Sequence, residues 1–558
     1  MTDGLPELLR ELLRVRGVET DADLAAFLDP SLKDLVDPLD GVSGLPGLRE
    51  AAEEILADLT AGRGIVVFGD YDCDGISATA ILARTLSALG AKDVATFLPR
   101  RLDEGYGMND ASVGRMLAEH PGVGLVITVD NGINAVEHVA ALKARGVHVI
   151  VTDHHLPDKT LPDCCVVDPM CESVPAEHPL KRLCGAGVAF FLANALVSLA
   201  RSAGVYSGPA VSGPLLVLAG LATVTDVMPL LGQNRILVSE ALKRFHRLAP
   251  IGLRELYDRA SRTATASLGS KDFGFLLGPR INAAGRLATA DEALELVMSD
   301  DREIARESAR IVDMRNVERR TIEQKMLDLA LSKVVAGAAA QVIDLTGGHI
   351  GVAGIVAARV MEKLSPSVPT CVIVDGHGSA RAPEGFNVRD ALGACAEFLD
   401  RYGGHAAAAG FSVRSGQVDA FREKFVAVCA SQRGERPEAD RTLKPDIWVT
   451  PADLTLDFAN WIPRLEPFGE GNLEPVFGFR RATVRDVRAG GVDSRHLFFE
   501  ANGFRAVWWG EGDRLEELRS VSASHPCDLT FTVGTSTYGG AHVELRLRAL
   551  EASADGSA

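Results

Sequence analysis

Short apolar runs alternate with helical stretches over the first third of the chain. Ile65–Phe68, Val94–Phe97, Leu125–Val129 and Val147–Val151 are brief apolar segments, the mark of buried strands. Ser77–Leu89, which stops at Gly90, and Ala135–Ala144 read as helices between them. This alternation predicts an α/β fold with a parallel, doubly wound sheet. Ligands of such sheets sit at the carboxyl ends of the strands. Apolar helical stretches at 183–200 and 214–225 are expected to cover the sheet. Residues 300–333 contain no Gly or Pro and are rich in charge. They predict one long helix that spans a gap between domains or packs along a seam. A second α/β unit is expected at about 336–435, with strands Gln341–Leu345 and Thr370–Val374. Beyond 440 the pattern changes to short alternating segments: Ala482–Val487, His496–Glu500, Ala506–Trp509, Leu529–Val533 and His542–Leu547. Glycine turns separate them, so a small β-barrel or sandwich is predicted. Residues 1–42 read as short acidic helices ending in turns at Asp29-Pro30 and Asp37-Pro38.

Composition narrows the class. The chain has 558 residues, 47% apolar and 24% charged, which excludes disorder as its main state. At roughly 100–200 residues per domain, about three to five domains are expected. The net charge of -17 argues at first against a nucleic-acid partner. However, residues 1–60 hold 14 Asp+Glu against 5 Lys+Arg, so −9 of that total sits there. Glu7, Glu11 and Glu19 make the N-terminus too acidic for a signal peptide. Leu183–Ala200 and Gly208–Thr225 approach the membrane-span length of about 18 residues. Both are rich in small residues and the second has two prolines, so buried helices and a cytoplasmic protein are expected. Nine cysteines, an odd number in a long chain, argue against a disulfide framework. Cys164, Cys165, Cys171 and Cys184, with His178 among them, match no common zinc spacing.

Three predicted strands end in the same chemistry. The first runs into Asp70-Tyr71-Asp72-Cys73-Asp74-Gly75, the next into Asp130-Asn131-Gly132, the third into Asp153-His154-His155. As extended chain, the first segment puts Asp70, Asp72 and Asp74 on one face. Carboxylates so crowded need cations or protons to offset their repulsion. One strand-end aspartate alone reads more readily as a helix N-cap. Recurrence along one sheet edge points to a metal centre instead. Carboxylate oxygens with imidazole nitrogens suit Mn²⁺, with Mg²⁺ as the alternative. Asp226, the first charge after a long apolar stretch, is a further candidate. Two ions about 3.5–4 Å apart activate water and stabilise both the attacking and leaving oxygens at phosphorus. Phosphoester or phosphoanhydride hydrolysis is therefore the expected reaction class.

As an ordered set, Asp70-Tyr-Asp-Cys-Asp-Gly75, Asp130-Asn-Gly132, Asp153-His-His155 and Asp226 resemble the motifs of the DHH phosphoesterase superfamily. Gly278-Pro-Arg-Ile-Asn-Ala-Ala-Gly-Arg286, Gly378-Ser-Ala-Arg381 and Gly403-Gly-His405 narrow the resemblance to the RecJ family of single-stranded-DNA-specific exonucleases, over about residues 43–550. The resemblance implies a DHH catalytic domain at 43–299 after acidic helices at 1–42. A connecting helix at 300–335, a DHHA1 domain at 336–437, an OB-fold at 438–552 and a tail at 553–558 would follow. It implies 5′→3′ hydrolysis of single-stranded DNA with two Mn²⁺ or Mg²⁺ ions, in DNA repair and recombination. By motif, Asp72, Asp74, Asp130, His154 and Asp226 are the implied metal ligands, with Asp130 as a bridge and Asp70 as an additional ligand. His155 is implied to face the scissile phosphate. Cys73 stands where a small residue such as alanine is common. It is either a buried spacer or a thiol that adds metal affinity.

The remaining motifs suggest contacts to DNA. Arg280, Asn282 and Arg286 are candidates for the backbone. Ser379, Arg381, Gly403, Gly404 and His405 resemble the family's phosphate pocket. Glycines there let N–H groups approach a phosphate, and Arg381 can grip it bidentately. Gly347-Gly348-His349-Ile350-Gly351 is expected to open a helix at Val352–Lys363, whose N-terminus favours anions. Arg100 and Arg101 follow a strand and are further phosphate candidates. Arg302, Arg306 and Arg310 form a basic stripe, but Glu303 and Glu307 beside them fit a solvated face equally well. Most of Trp461, Phe468, Phe477, Phe498, Trp508 and Trp509 are expected in a core. Arg480, Arg481, Arg485 and Arg488 better mark a strand-tracking surface. Single-stranded DNA is the implied partner, with a helicase and a single-strand-binding protein as candidates, no membrane, and a monomeric state. Two alternatives remain: a DHH hydrolase acting on pyrophosphate, short oligonucleotides or cyclic dinucleotides, and a non-catalytic DNA-binding scaffold. Residues 440–552 argue against the first, and the intact motifs against the second.

Overall fold

Two helices open the computed structural model, which describes residues 4–208, 213–261, 268–364, 367–433, 444–522, 526–536 and 540–552. They are α1 (Glu7–Val15) and α2 (Asp21–Leu28), the second closed by a Thr20–Asp23 capping box. Helix α3 (Leu48–Thr60) leads into β1 (Gly64–Phe68), α4 (Cys73–Ala88), β2 (Val94–Phe97), α5 (Asp110–Glu119) and β3 (Val123–Val129). Then come α6 (Val136–Ala144), β4 (His148–Thr152) and β5 (Cys165–Val167). The five strands are parallel, in the order β2-β1-β3-β4-β5. Strand β5 was not expected; three residues are too few to show a periodicity.

Helices α7 (Gly185–Ser202), α8 (Gly213–Thr225), α9 (Gly232–Leu248), α10 (Ile251–Ala260), α11 (Gly278–Leu287) and α12 (Asp291–Met298) build the rest of this body. Helix α7 is long and apolar enough to cross a membrane, but 72% of that window is buried. It packs against α3, α4 and α8.

Helix α13 (Arg302–Ser332) runs 31 residues, about 46 Å at 1.5 Å per residue. It packs on α10, α11 and α12 at one end and on α14 (Ile350–Lys363) at the other. Its arginines are paired: Arg310 with Glu307, Arg302 with Glu255 and Arg315 with Glu292. The solvated-face reading of the stripe therefore fits two of its three members, Arg302 and Arg310. The second sheet joins β6 (Gln341–Asp344), β7 (Thr370–Val374), β8 (His377–Arg381), β9 (Leu399–Gly404) and β10 (Ala408–Val413) in the order β6-β7-β8-β10-β9.

The C-terminal sheet holds β11 (Ile447–Trp448), β12 (Phe477–Ala482), β13 (Val484–Gly490), β14 (His496–Ala501), β15 (Phe504–Trp508), β16 (Cys527–Ser536) and β17 (His542–Ala552). The strand expected at 482–487 is split between β12 and β13. Arg481 turns to φ 48° while its N–H donates to Asp528, and the register shifts between Phe479 and Ala482. Trp461, Phe468, Phe477 and Trp508 are buried as expected, whereas Trp509 is 54% exposed beside Phe498.

The N-terminal helices are not a separate unit. Leu9, Leu12, Leu13 and Phe27 share one core with Trp461, Leu465 and the C-terminal strands. Arg235, on α9 of the first body, donates to the carbonyls of Phe27, Leu465 and Glu466 and stacks on the Phe27 ring at 3.6 Å. The two ends of the chain are thus fastened to the body that carries the acidic motifs. The expected boundary at 437/438 and the tail 553–558 fall outside the described residues.

Candidate metal centre

In a sheet of order 2-1-3-4-5, the crevice between the carboxyl ends of β1 and β3 is where ligands bind. Asp70 and Asp72 leave β1 at this crevice, Asp130 leaves β3, and His154 and His155 leave β4. Asp226 arrives from the C-terminal end of α8.

The segment after β1 is not extended, contrary to expectation. Asp72 is the N-cap of α4, its Oδ1 accepting from the N–H groups of Asp74 (3.0 Å) and Gly75 (3.1 Å). Asp74 therefore lies in the first helical turn. The cap and the metal readings coexist, because Asp72 caps and still offers an oxygen to the cluster. Asp74 is held by the first turn of α7, accepting from Gly185 N and Ala186 N at 2.7 Å each. The open end of a helix favours such a carboxylate.

The side chains converge in three groups, of which Asp130, His154 and His155 form the one that links the other two. Asp74, His154 and Asp226 bring ligand atoms within 4.8 Å of one another, and so do Asp70, Asp72 and Asp130. His154 Nε2 lies 3.0 Å from Asp130 Oδ1, 3.6 Å from Asp74 and 3.7 Å from Asp226. Asp130 thus touches both groups. Asp70 Oδ1, Asp130 Oδ1 and Asp226 Oδ2 are buried with no hydrogen-bond donor among the described residues. Burial, and then neighbouring carboxylates, push Asp70 and Asp130 well above the usual carboxylate range and Asp226 to about 9. Burial lowers His154 and favours its neutral, ligating form. Orphaned, repelling oxygens around a neutral imidazole are a donor set that fits a hard to borderline divalent cation.

Asp153, the aspartate at the end of β4, joins none of these ligand groups. Its Oδ1 accepts from His154 N (2.8 Å), His155 N (3.2 Å) and His155 Nδ1 (2.7 Å), and its Oδ2 from Ile133 N (3.0 Å). All its capacity is turned toward the loop it caps. Burial opposes a charged His155, but the bond and charge of Asp153 prevail and raise it to about 9. Sequence reasoning also missed Tyr106, whose hydroxyl lies 3.3 Å from the His155 ring nitrogens and 3.2 Å from the Asp130 carbonyl. Asp168, just past β5, is buried and pushed up to about 7 by burial and Asp153. Its signal was one more strand-end aspartate, hidden by the shortness of β5.

The motif between the two α/β bodies divides. Arg280 Nε pairs with Asp313 (2.9 Å) and its Nη1 donates to the Leu276 carbonyl (2.7 Å). These bonds make it an internal tie between α11 and α13. Asn282 Oδ1 accepts from Cys73 N at 2.7 Å and so props the metal loop from behind. Arg286 lines the interdomain space and donates to the Gly351 carbonyl. Arg286 and Arg381 are half-buried and pair with no carboxylate among the described residues. Burial and then Arg101 lower Arg381; the same causes bring Arg286 to about 10. Guanidiniums that disfavour one another's charge mark an anion site. A cavity of about 430 Å³ opens beside them, lined by Arg101 and Tyr106 from one body and Ser379 and Gly403 from the other. His405 is exposed in the turn after Gly404 and does not line it.

Comparison with known proteins agrees with this layout. Residues 64–211 match the DHH family, N-terminal domain; 336–431 match the DHHA1 domain; 445–549 match the RecJ OB domain. The single-stranded-DNA-specific exonuclease RecJ of Thermus thermophilus is 38% identical over 483 residues, 86% of this chain and 68% of that one. RecJ of Dickeya dadantii is 35% identical over 529 residues, 89% and 87% of the two chains. The chain belongs to the RecJ family. The crystal structure of Thermus thermophilus RecJ in complex with Mn²⁺ superposes with a TM-score of 0.78 at 33% identity, covering 98% of this chain and 78% of that one. Its complex with Mg²⁺ gives 0.73 at 31% identity, covering 98% and 77%. The long helix α13 and the C-terminal sheet therefore lie within the region that superposes on RecJ.

Proposed function

We propose that this chain is a Mn²⁺- or Mg²⁺-dependent exonuclease that hydrolyses single-stranded DNA from its 5′ end, in DNA repair and recombination. The observation that carries the reading is a carboxylate–imidazole centre facing an arginine-lined cavity across one cleft. We place the DHH domain at 43–299, the connecting helix at 300–335, the DHHA1 domain at 336–437 and the OB-fold at 438–552. The protein acts in the cytoplasm as a monomer, with a helicase and a single-strand-binding protein as candidate partners.

Asp74, His154 and Asp226 would hold one ion and Asp70 and Asp72 the other, with Asp130 within reach of both. Two divalent ions so bound supply an activated water and neutralise charge on the phosphate. The protein's own groups do the rest. Arg101, Arg286, Ser379 and Arg381 hold the terminal 5′ phosphate, so the next phosphodiester meets the centre. Asp153 keeps His155 cationic and fixes its Nδ1, leaving Nε2 to donate to a non-bridging oxygen. The bond from phosphorus to the 3′ oxygen breaks, water's oxygen stays on phosphorus and its proton ends on the departing 3′ oxygen.

The test supplies Mn²⁺ with 5′-phosphorylated single-stranded DNA, blunt duplex, RNA, a dinucleotide and pyrophosphate. Rapid loss of the single strand supports the reading; turnover of the small substrates alone would sink it. Arg381→Ala is expected to weaken binding of the 5′-phosphorylated end about tenfold or more, the worth of a bidentate charged contact. Mn²⁺ binding should stay intact, and unchanged affinity for 5′-phosphorylated strands would remove Arg381 from the pocket. Asp153→Asn should lower kcat roughly 10–100-fold, as loss of a supporting partner does, while the KM for DNA holds. A kcat within twofold of wild type would show that His155 needs no such support.

A further inference from the structure

The cavity beside Ser379 is much larger than a terminal phosphate needs. At about 430 Å³ it lies in the range of pockets that take whole small molecules, about 300–1,000 Å³. Sheet register shows what fills its far end. Ser379 on β8, Gly410 on β10 and Gly403 on β9 form one row across the sheet. His377, Ser412 and Arg401 form the next row on the same face, two residues along, about 6.6 Å away. Neither Gly403 nor Gly410 has anything within 4 Å of where a Cβ would stand, so the floor between the rows is flat and open.

The second row is prearranged for an anion. His377 Nδ1 lies 3.0 Å from Ser412 Oγ, and Arg401 Nε donates to the same oxygen at 3.3 Å. One serine thus anchors both side chains and leaves the Arg401 Nη groups and His377 Nε2 available. Arg101 of the catalytic body forms the opposite wall, and among the described residues no acidic one lines the cavity. Neither His377 nor Arg401 pairs with a carboxylate among the described residues.

We propose that this row is a polyphosphate subsite, and that the enzyme accepts single strands whose 5′ end carries a triphosphate. The inference rests on the exonuclease reading and extends its substrate class. The α-phosphate sits at Ser379, where a monophosphate would, and the two further phosphates run to His377 and Arg401. Hydrolysis is unchanged in kind. Water's oxygen joins the phosphorus of the first phosphodiester, and the 3′ oxygen of the first nucleotide departs with a proton. A nucleoside 5′-triphosphate is released whole, and the shortened strand keeps a 5′ monophosphate.

One oligonucleotide prepared with a 5′ monophosphate or a 5′ triphosphate tests this with the full chain and Mn²⁺. Chromatography identifies the first product. Wild-type kcat/KM on the triphosphorylated strand should fall within about threefold of the monophosphorylated one, with intact nucleoside triphosphate released. The double variant His377→Ala/Arg401→Ala should lose about tenfold or more on the triphosphorylated strand, the cost of two charged contacts. Its activity on the monophosphorylated strand should be unchanged, which also shows that it is folded. A triphosphorylated strand that resists while the monophosphorylated one is degraded would overturn the subsite. So would a double variant that slows both strands alike. If neither strand is degraded, the exonuclease reading itself fails and the subsite falls with it.

Discussion

Asp130→Ala abolishes hydrolysis at every Mn²⁺ concentration, with an expected loss of about 10³-fold or more in kcat. The magnitude follows from position. Asp74 and Asp226 belong to one ligand group and Asp70, Asp72 and Asp130 to another, while Asp130 also lies 3.0 Å from His154 of the first. Removing a ligand of one group leaves a site that excess metal can refill by mass action; removing the shared ligand opens both at once. The Asp130 Oδ1 is buried without a donor and surrounded by like charge, so the native side chain is a strain on the metal-free fold. The variant should therefore melt no lower than wild type without metal, and Mn²⁺ should no longer raise its melting temperature. A metal titration followed by calorimetry and a kcat series in Mn²⁺ check both halves. Residual activity above a tenth of wild type would count strongly against the bridging role.

What the sequence made legible here was local. Ile65–Phe68 and Leu125–Val129 announce strands because short runs so rich in apolar and β-branched residues have no other economical home. The acids and histidines that follow them then land on one sheet edge by topology alone. The connecting helix was equally visible, since a charged run without Gly or Pro has one regular conformation. The errors come from side-chain choices settled by tertiary partners. Asp72 could cap or ligate, and only the start of α4 at Cys73 shows that it caps. Asp153 looked like its neighbours until the Ile133 amide and the His155 ring took its oxygens. Arg280 and Arg286 sit six residues apart in one motif, but Asp313 on the connecting helix takes the first and leaves the second facing the cleft. The union of α1 and α2 with the C-terminal core joins residues more than 400 positions apart, which no local pattern encodes. The acidity of the N-terminal segment accordingly says little about the DNA-facing surface. The proposed DNA-facing surface draws instead on arginines from separate bodies, Arg101 and Arg286 on one side and Arg381 on the other.

Gly185→Ala is the second large effect, and it tests the geometry without touching a ligand. A Cβ at Gly185 would stand 2.5 Å from the Asp130 Cβ and 2.9 Å from its Cα, closer than packed carbons approach. Neither neighbour can yield cheaply. The Gly185 N–H is bound to Asp74 at 2.7 Å, and Asp130 already holds φ 61° at the end of β3, a left-handed conformation that few non-glycine residues adopt. The methyl group must therefore push Asp130 out of line with both ligand groups, or lift α7 off Asp74. A misplacement of about 1 Å costs on the order of 10²-fold when positioning sets the rate, and that is the expected fall in kcat. Helix propensity adds little, because Gly185 is the first residue of α7. An unchanged or raised melting temperature together with the lost activity would separate a displaced Asp130 from general unfolding. The Mn²⁺ midpoint should also rise, because both proposed ion sites would draw on the displaced carboxylate. Activity within threefold of wild type would mean that the turn after β3 can relax around a side chain. The close approach of α7 would then be packing alone, and Asp130 would be positioned by its own backbone, not by the helix behind it.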